Sequence, residues 1–226
     1  MNVSCFIIFC FSFCICLSLS ARIGEKRGTL ESRLLKSNGI VLRSDEINES
    51  RQTGMLYLDY EEYFPKPYEI RIYYKSSDGT RPKPNEIGGS KLYQVFDRRP
   101  PPKKPISSRD NDEKRLEGWE LHVVYVEGIS TLEVYKKNSA ITEHEIKYLL
   151  NLQSGNSFWV ETTEEDLPEG KFSALGFNLA RIDGHLRAKK LSSRAIMIFR
   201  SRTDDFFYQS KMKEDEEKAP YSIKGF

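Results

Sequence analysis

The sequence predicts an α+β protein: an antiparallel sheet carrying one well-capped helix, preceded by a smaller β-rich part. Three observations predict it. Apolar residues alternate with polar ones through 119–126 and again through 131–137, the period of a strand. Turn-forming dipeptides, Glu127-Gly128 and Asp183-Gly184, sit between such runs and read as hairpin connections. A single segment, from Thr142 onward, switches to helical spacing and opens with a full set of start signals.

The elements follow in chain order. Residues 29–37 suit a short helix carrying Leu30, Leu34 and Leu35, stopped at Asn38-Gly39. Residues 55–60 and 68–75 read as strands joined by a loop holding Pro65 and Pro67; Ser77-Asp78-Gly79 turns the chain, and 91–96 suits an edge strand. Trp119, Leu121, Val123 and Tyr125 share one face of the next strand, and Leu132 and Val134 share a face of its partner. In the helix, Thr142 caps and Glu145 closes a capping box, while Ile141 and Ile146 form a hydrophobic staple. Ile146, Leu149, Leu150 and Gln153 make one stripe, Glu143 and Lys147 pair across a turn, and Gly155 supplies the stop. Leu175, Phe177 and Leu179 alternate in a strand running to Ile182, residues 185–191 return, and 195–199 is apolar enough to be buried on both faces.

The chain organisation is read from composition. All four cysteines fall within the first 16 residues, inside an apolar run. Residues 5–19 (CFIIFCFSFCICLSL) match the hydrophobic region of a secretory signal and fall short of the roughly 20 residues of a spanning helix. Ser18 and Ser20 give the small-x-small pattern of a cleavage site before Ala21 or Arg22, so residues 1–20 are expected to be a signal peptide. Arg22, Lys26 and Arg27 after the run would favour an uncleaved anchor as the alternative. Lipidation needs a small residue immediately before the cysteine, but Cys10 and Cys14 follow Phe and Cys16 follows Ile, which argues against it. Residues 97–117 contain four prolines and twelve charged residues, a linker composition that divides a 22–96 part from a 118–208 domain. Residues 209–226 read as a charged, disordered tail.

Several chemistries are excluded or weakened. Without cysteine beyond residue 16, a disulfide framework, a thiol nucleophile and a Cys-ligated metal are not expected. A net charge of +2 gives no general pull toward nucleic acid. His144-Glu145 begins like a metalloprotease helix, but the second histidine is replaced by Tyr148. Gly155-Asn156-Ser157 begins like a nucleophile elbow, but Trp159 stands where the last glycine belongs. His122, His144 and His185 lack metal-ligand spacing, so neither a metal nor any other cofactor is expected. The R-x-x-P-x-x-P arrangement of Arg99, Pro102 and Pro105 is accounted for by the linker, and Asn48-Glu49-Ser50 is one glycosylation acceptor.

Two clusters remain. Asp59, Glu61 and Glu62, beside Tyr57, Tyr60 and Tyr63, could supply acid–base chemistry on a glycosidic bond, although adjacent residues point in different directions. The tyrosines from 57 to 74 could instead form a stacking surface. Between 181 and 202 the chain carries Arg181, Arg187, Lys189, Lys190, Arg194, Arg200 and Arg202 against one acid, Asp183. Arg187 and Lys189 project from the same strand face, an arrangement suited to an anionic envelope polymer, lipid headgroups or an acidic partner. Charges on exposed strands also serve to prevent edge pairing.

The stretch Ala21-Arg22-Ile23-Gly24-Glu25, a hairpin opened by Gly118-Trp119, the Thr142-x-x-Glu145 helix and the strand around Trp159 after Gly155 together resemble a group of small exported bacterial proteins with no established activity. Helix-plus-hairpin units of outer-membrane-assembly lipoproteins are similar in order, but their lipidated cysteine has no counterpart here. The resemblance implies export and transfers no activity; the signal-like segment and the basic cluster together lead to the expectation of an exported, periplasmic or secreted, non-enzymatic binding or structural module of the cell envelope, its partner an anionic envelope polymer or another envelope protein. The alternative is a hydrolase acting on such a polymer, with 59–62 as its acid–base source.

Overall fold

The computed structural model describes residues 23–42, 55–82, 117–218 and 220. The expected signal at 1–20, the edge strand at 91–96 and all but the last residue of the linker lie outside them. Among the described residues the fold is α+β, built on one antiparallel sheet of eight strands in the order β1-β2-β3-β4-β8-β7-β6-β5. The strands are β1 (Ile40–Leu42), β2 (Tyr68–Ser76), β3 (Gly118–Val126), β4 (Ile129–Lys137), β5 (Trp159–Glu161), β6 (Leu179–Arg181), β7 (Leu186–Ser192) and β8 (Ala195–Arg200). Three α-helices accompany them: α1 (Arg27–Lys36), α2 (Glu143–Leu152) and α3 (Ser201–Lys218).

The two halves read from the sequence share this sheet. β2 and β3 pair along their full length, from Tyr68 opposite Val126 to Ser76 opposite Gly118. The β5 edge is a strand of three residues, short enough to offer little template for pairing with another chain.

Strand alternation sorts the apolar residues onto two faces. Leu121, Val123, Tyr125, Tyr135, Ile196 and Ile198 meet Leu30 and Leu34 of α1 and Ile146, Leu149 and Leu150 of α2. On the opposite face Val124, Leu132, Val134, Met197 and Phe199 meet Met55, Tyr57, Leu58, Phe64 and Phe207. β8 is buried on both sides, as its unbroken apolar run requires.

The start of α2 follows its sequence signals. Thr142 Oγ1 accepts from the Glu145 backbone N–H at 3.2 Å, and Glu145 Oε2 accepts from the Thr142 N–H at 2.8 Å. The helix ends at Leu152, with Gln153 as C-cap and Gly155 at φ +57°, the left-handed region that glycine enters freely.

Three expectations are corrected. Residues 55–60 form no strand: Leu56–Tyr63 is a 3₁₀ segment, in which the adjacent Tyr57 and Leu58 are both buried, a pattern alternation cannot give. The strand expected over 175–182 is confined to Leu179–Arg181, because Gly176 at φ +66° breaks the extended run. Leu175 and Phe177 join the core on the α3 face, whereas Leu179 joins the other. Finally, 209–218 continues α3 where a disordered tail was expected. Phe207 is fully buried, stacked on Tyr60 at 5.5 Å and edge-on to Phe64 at 4.8 Å, so packing holds a helix that its own composition does not favour.

Candidate functional site

The sheet register assembles a cleft from residues far apart in sequence. Tyr73 of β2 lies opposite Leu121 of β3, which lies opposite Tyr135 of β4. One row along, Lys75 faces Trp119 and Trp119 faces Lys137. Since residues two apart on a strand share a face, these rows make a floor of aromatic and aliphatic side chains. Tyr148, Leu149 and Leu152 of α2 and Leu34 of α1 wall it. The enclosed volume is about 340 Å³, at the small end of the roughly 300–1,000 Å³ typical of small-molecule sites.

Local chemistry fixes the cleft's shape. Gly118 has no side chain, and a Cβ there would collide with the Tyr74 hydroxyl and the Lys75 carbonyl, so glycine lets the Tyr74 side chain pass close over β3. Lys137 Nζ stands 5.6 Å from the Trp119 ring centre and 2.9 Å from Glu145 Oε1. Beneath, Tyr73 Oη donates to Glu31 Oε1 at 3.1 Å and lies 2.9 Å from Tyr125 Oη. Burial, reinforced by that neighbouring hydroxyl and carboxylate, drives the Tyr73 phenol far above its ordinary range, so it stays neutral.

The carboxylate at the rim has no proton to give. The hydrogen bond from Lys137, followed by that of the Thr142 backbone, holds Glu145 below the usual carboxylate value. The cleft therefore presents apolar and aromatic surface with polar groups at its edge.

The seven basic residues do not form one face. Arg187 is buried: its Nη1 lies 2.6 Å from Asp204 Oδ2 and 2.8 Å from Asp205 Oδ1, and its guanidinium sits 4.9 Å from the Phe177 ring centre. Lys189 does share its side of β7, but donates to the Leu175 carbonyl at 2.7 Å. Arg181 pairs with Asp183 at 2.8 Å and donates to the Gln153 carbonyl. Lys190 reaches Glu143 of α2 at 3.1 Å, and Arg194 lies exposed in the β7–β8 turn. Of the seven, the structure gathers Arg181, Arg200 and Arg202, around a cavity where α3 begins.

The acidic cluster does not converge either. Asp59 and Glu62 are exposed on the 3₁₀ segment, Glu61 accepts from Tyr68 Oη at 3.1 Å, and none of the three lines the cleft or that cavity. His122 is fully buried, its Nδ1 2.6 Å from Tyr57 Oη and its Nε2 2.5 Å from Glu120 Oε1. In this Tyr–His–Glu chain Tyr57 and His122 are fully buried, and Glu120 is partly exposed. His144 stands at the cleft rim and His185 at the cavity beside α3. No protein-family model, curated protein or solved structure matches this chain.

The sequence reading missed the cleft because its aromatic residues come from four elements. The available signal was the apolar face of β3, which Trp119 opens and against which Tyr73 and Tyr135 had to pair.

Proposed function

We propose that the protein is an exported, non-enzymatic binding module of the cell envelope that holds a small, mainly apolar ligand in the cleft between α1, α2 and the sheet. The observation that carries this reading is the cleft's lining: Tyr73, Trp119, Tyr135 and Tyr148 around an apolar volume whose one carboxylate is already engaged. A hydrolase needs a proton donor and acceptor converging on a substrate, and 59–62 offers no such pair. Export rests on the apolar segment 5–19, on the small residues Ser18 and Ser20, and on the resemblance to exported bacterial proteins. Among the described residues no helix is long and apolar enough to cross a membrane.

The test is a titration with the neutral fluorescent probe N-phenylnaphthylamine. Tyr148 is 59 % exposed, so Tyr148→Ala removes cleft wall without removing core. Saturable binding with quenching of tryptophan emission is expected, weakened by about tenfold in Tyr148→Ala and further in Trp119→Ala, as loss of an aromatic contact of roughly 1.5 kcal/mol implies. Absence of saturable binding, or equal binding by both variants, overturns the cleft as the site. Mass spectrometry of protein from the envelope or medium should give a chain beginning at Ala21 or Arg22.

A further inference from the structure

The aromatic cleft has a charged end and an apolar end. Lys75, Trp119 and Lys137 lie opposite one another across β2, β3 and β4, and Tyr73, Leu121 and Tyr135 form the next row along. Two side-chain bonds fix how α2 lies over these rows. Lys137 Nζ donates to Glu145 Oε1 at 2.9 Å near the start of the helix, and Gln153 Nε2 donates to Glu133 Oε2 at 2.9 Å at its end. The helix therefore runs antiparallel along β4, with its first turn over the lysine row. All the charged or titratable side chains that line the cleft other than its tyrosines, Lys75, His144 and Glu145, thus gather at one end. Leu34, Leu121, Leu149 and Leu152 supply the other.

At the charged end the acids are spent. Glu145 Oε2 accepts from the Thr142 N–H at 2.8 Å and from its hydroxyl at 3.0 Å, and Oε1 is taken by Lys137. Glu117 is exposed just beyond the lysine row; it accepts from Ser139 Oγ at 2.5 Å and lies 3.9 Å from Lys137. Both acids thus serve the same lysine. Lys75 shares the strand face of Tyr73, lines the cleft and makes no ion pair among the described residues. Beside an apolar volume, where the effective dielectric is low, an unpaired ammonium attracts an opposite charge more strongly than it does in water.

We infer, resting on the small-molecule reading of the cleft, that its occupant is a single-chain amphiphile with an anionic head, of the medium-chain carboxylate class. The head sits on Lys75, and the chain lies over Trp119 toward Leu121, Leu149 and Leu152. One unpaired ammonium matches one negative charge, whereas a phosphate monoester would bring a second with nothing to meet it. A quaternary ammonium, which aromatic rings also attract, would face Lys75 and Lys137 together. The volume of about 340 Å³ sets the chain length as medium. The bland alternative is that Lys75 only covers apolar surface with its stem and keeps its head in water. A ligand's response to its head group separates the two.

Displacement of N-phenylnaphthylamine by decanoate, decanol and decyltrimethylammonium, one chain under three heads, makes the test. Decanoate is expected to bind about tenfold or more tighter than decanol, the worth of a hydrogen bond to a charged group, with decyltrimethylammonium the weakest. Lys75→Gln keeps most of the stem and removes the charge, so it should bring decanoate to within about threefold of decanol. Lys190→Gln, a cation outside the cleft, should keep the full preference. Added salt should weaken decanoate in the unmodified protein and leave decanol unmoved. If the probe binds but decanol or decyltrimethylammonium equals decanoate, or the preference survives Lys75→Gln, the anionic head is refuted and the cleft stands. If neither the probe nor any of the three binds, the cleft itself is refuted, and this inference with it.

Discussion

Asp204 is fully buried at the start of α3, where Oδ2 accepts from Arg187 Nη1 and Ser173 Oγ, each at 2.6 Å, and Oδ1 from the Leu175 N–H at 2.8 Å. One side chain thereby ties α3 to β7 and to the loop that Gly176 bends. Removing it leaves the Arg187 guanidinium, whose side chain is only 8 % exposed, with Asp205 alone. Asp204→Ala should cost about 3–5 kcal/mol, the penalty for breaking a buried pair from one side. Urea unfolding measures it, and a loss below 1 kcal/mol would contradict the arrangement. The sequence told half of this. Spacing of two put Arg187 and Lys189 on one side of a strand, and that is where they are. Which side is covered is a separate question, and only the packing of α3 answers it.

At the scale of elements, α2 and α3 make opposite cases. α2 was legible because its signals are local: a cap, its reciprocal glutamate and a staple all lie within six residues. α3 was not, since Ser201–Lys218 is mostly charged and polar, and among its described residues only Ser201, Asp204 and Phe207 are buried. Its anchorage is tertiary, through Phe207 between Tyr60 and Phe64 and through the Tyr63–Glu214 hydrogen bond. That bond raises the Tyr63 phenol to about 12 and, beneath the larger effect of Lys218, helps lower the Glu214 carboxyl. Phe207→Ala should therefore destabilise by about 3–5 kcal/mol, the range for a buried aromatic cut to alanine. It should also make α3 the first site of limited trypsin cleavage, at Lys211 or Lys213; unchanged protection would mean the helix is held some other way. The 3₁₀ segment belongs to the same lesson: residues 55–60 read as strand, yet Tyr60 finds its stacking partner, Phe207, on α3.

For the whole molecule, acid should be the denaturant that acts earliest. Glu145, Asp183 and Glu120 all lie below their ordinary values in the folded state, through Lys137, Arg181 and the joint effect of His122 and Lys136 respectively. At Glu120 burial alone would push the other way, and the interactions with His122 and Lys136 outweigh it. A carboxylate lowered on folding adds stability that is complete above its unfolded pKa and disappears as pH falls through its folded one. The unfolding temperature should thus drop as pH goes below about 4, the unperturbed carboxylate range, with a shallower drop in Glu120→Gln; an unfolding temperature independent of pH down to 3 would refute it. What the sequence by itself determined is everything whose cause lies within a few residues: the strand alternation, the turns at 127–128 and 183–184, the capped α2 and hence the α+β class. What the tertiary structure alone decided is which distant pieces meet: β2 beside β3, Tyr73 and Tyr135 flanking Leu121 beneath Tyr148, and Arg187 sealed under α3. The physical reason is that hydrogen bonding and capping are settled by neighbours along the chain, whereas burial depends on surfaces supplied by residues far from it in sequence.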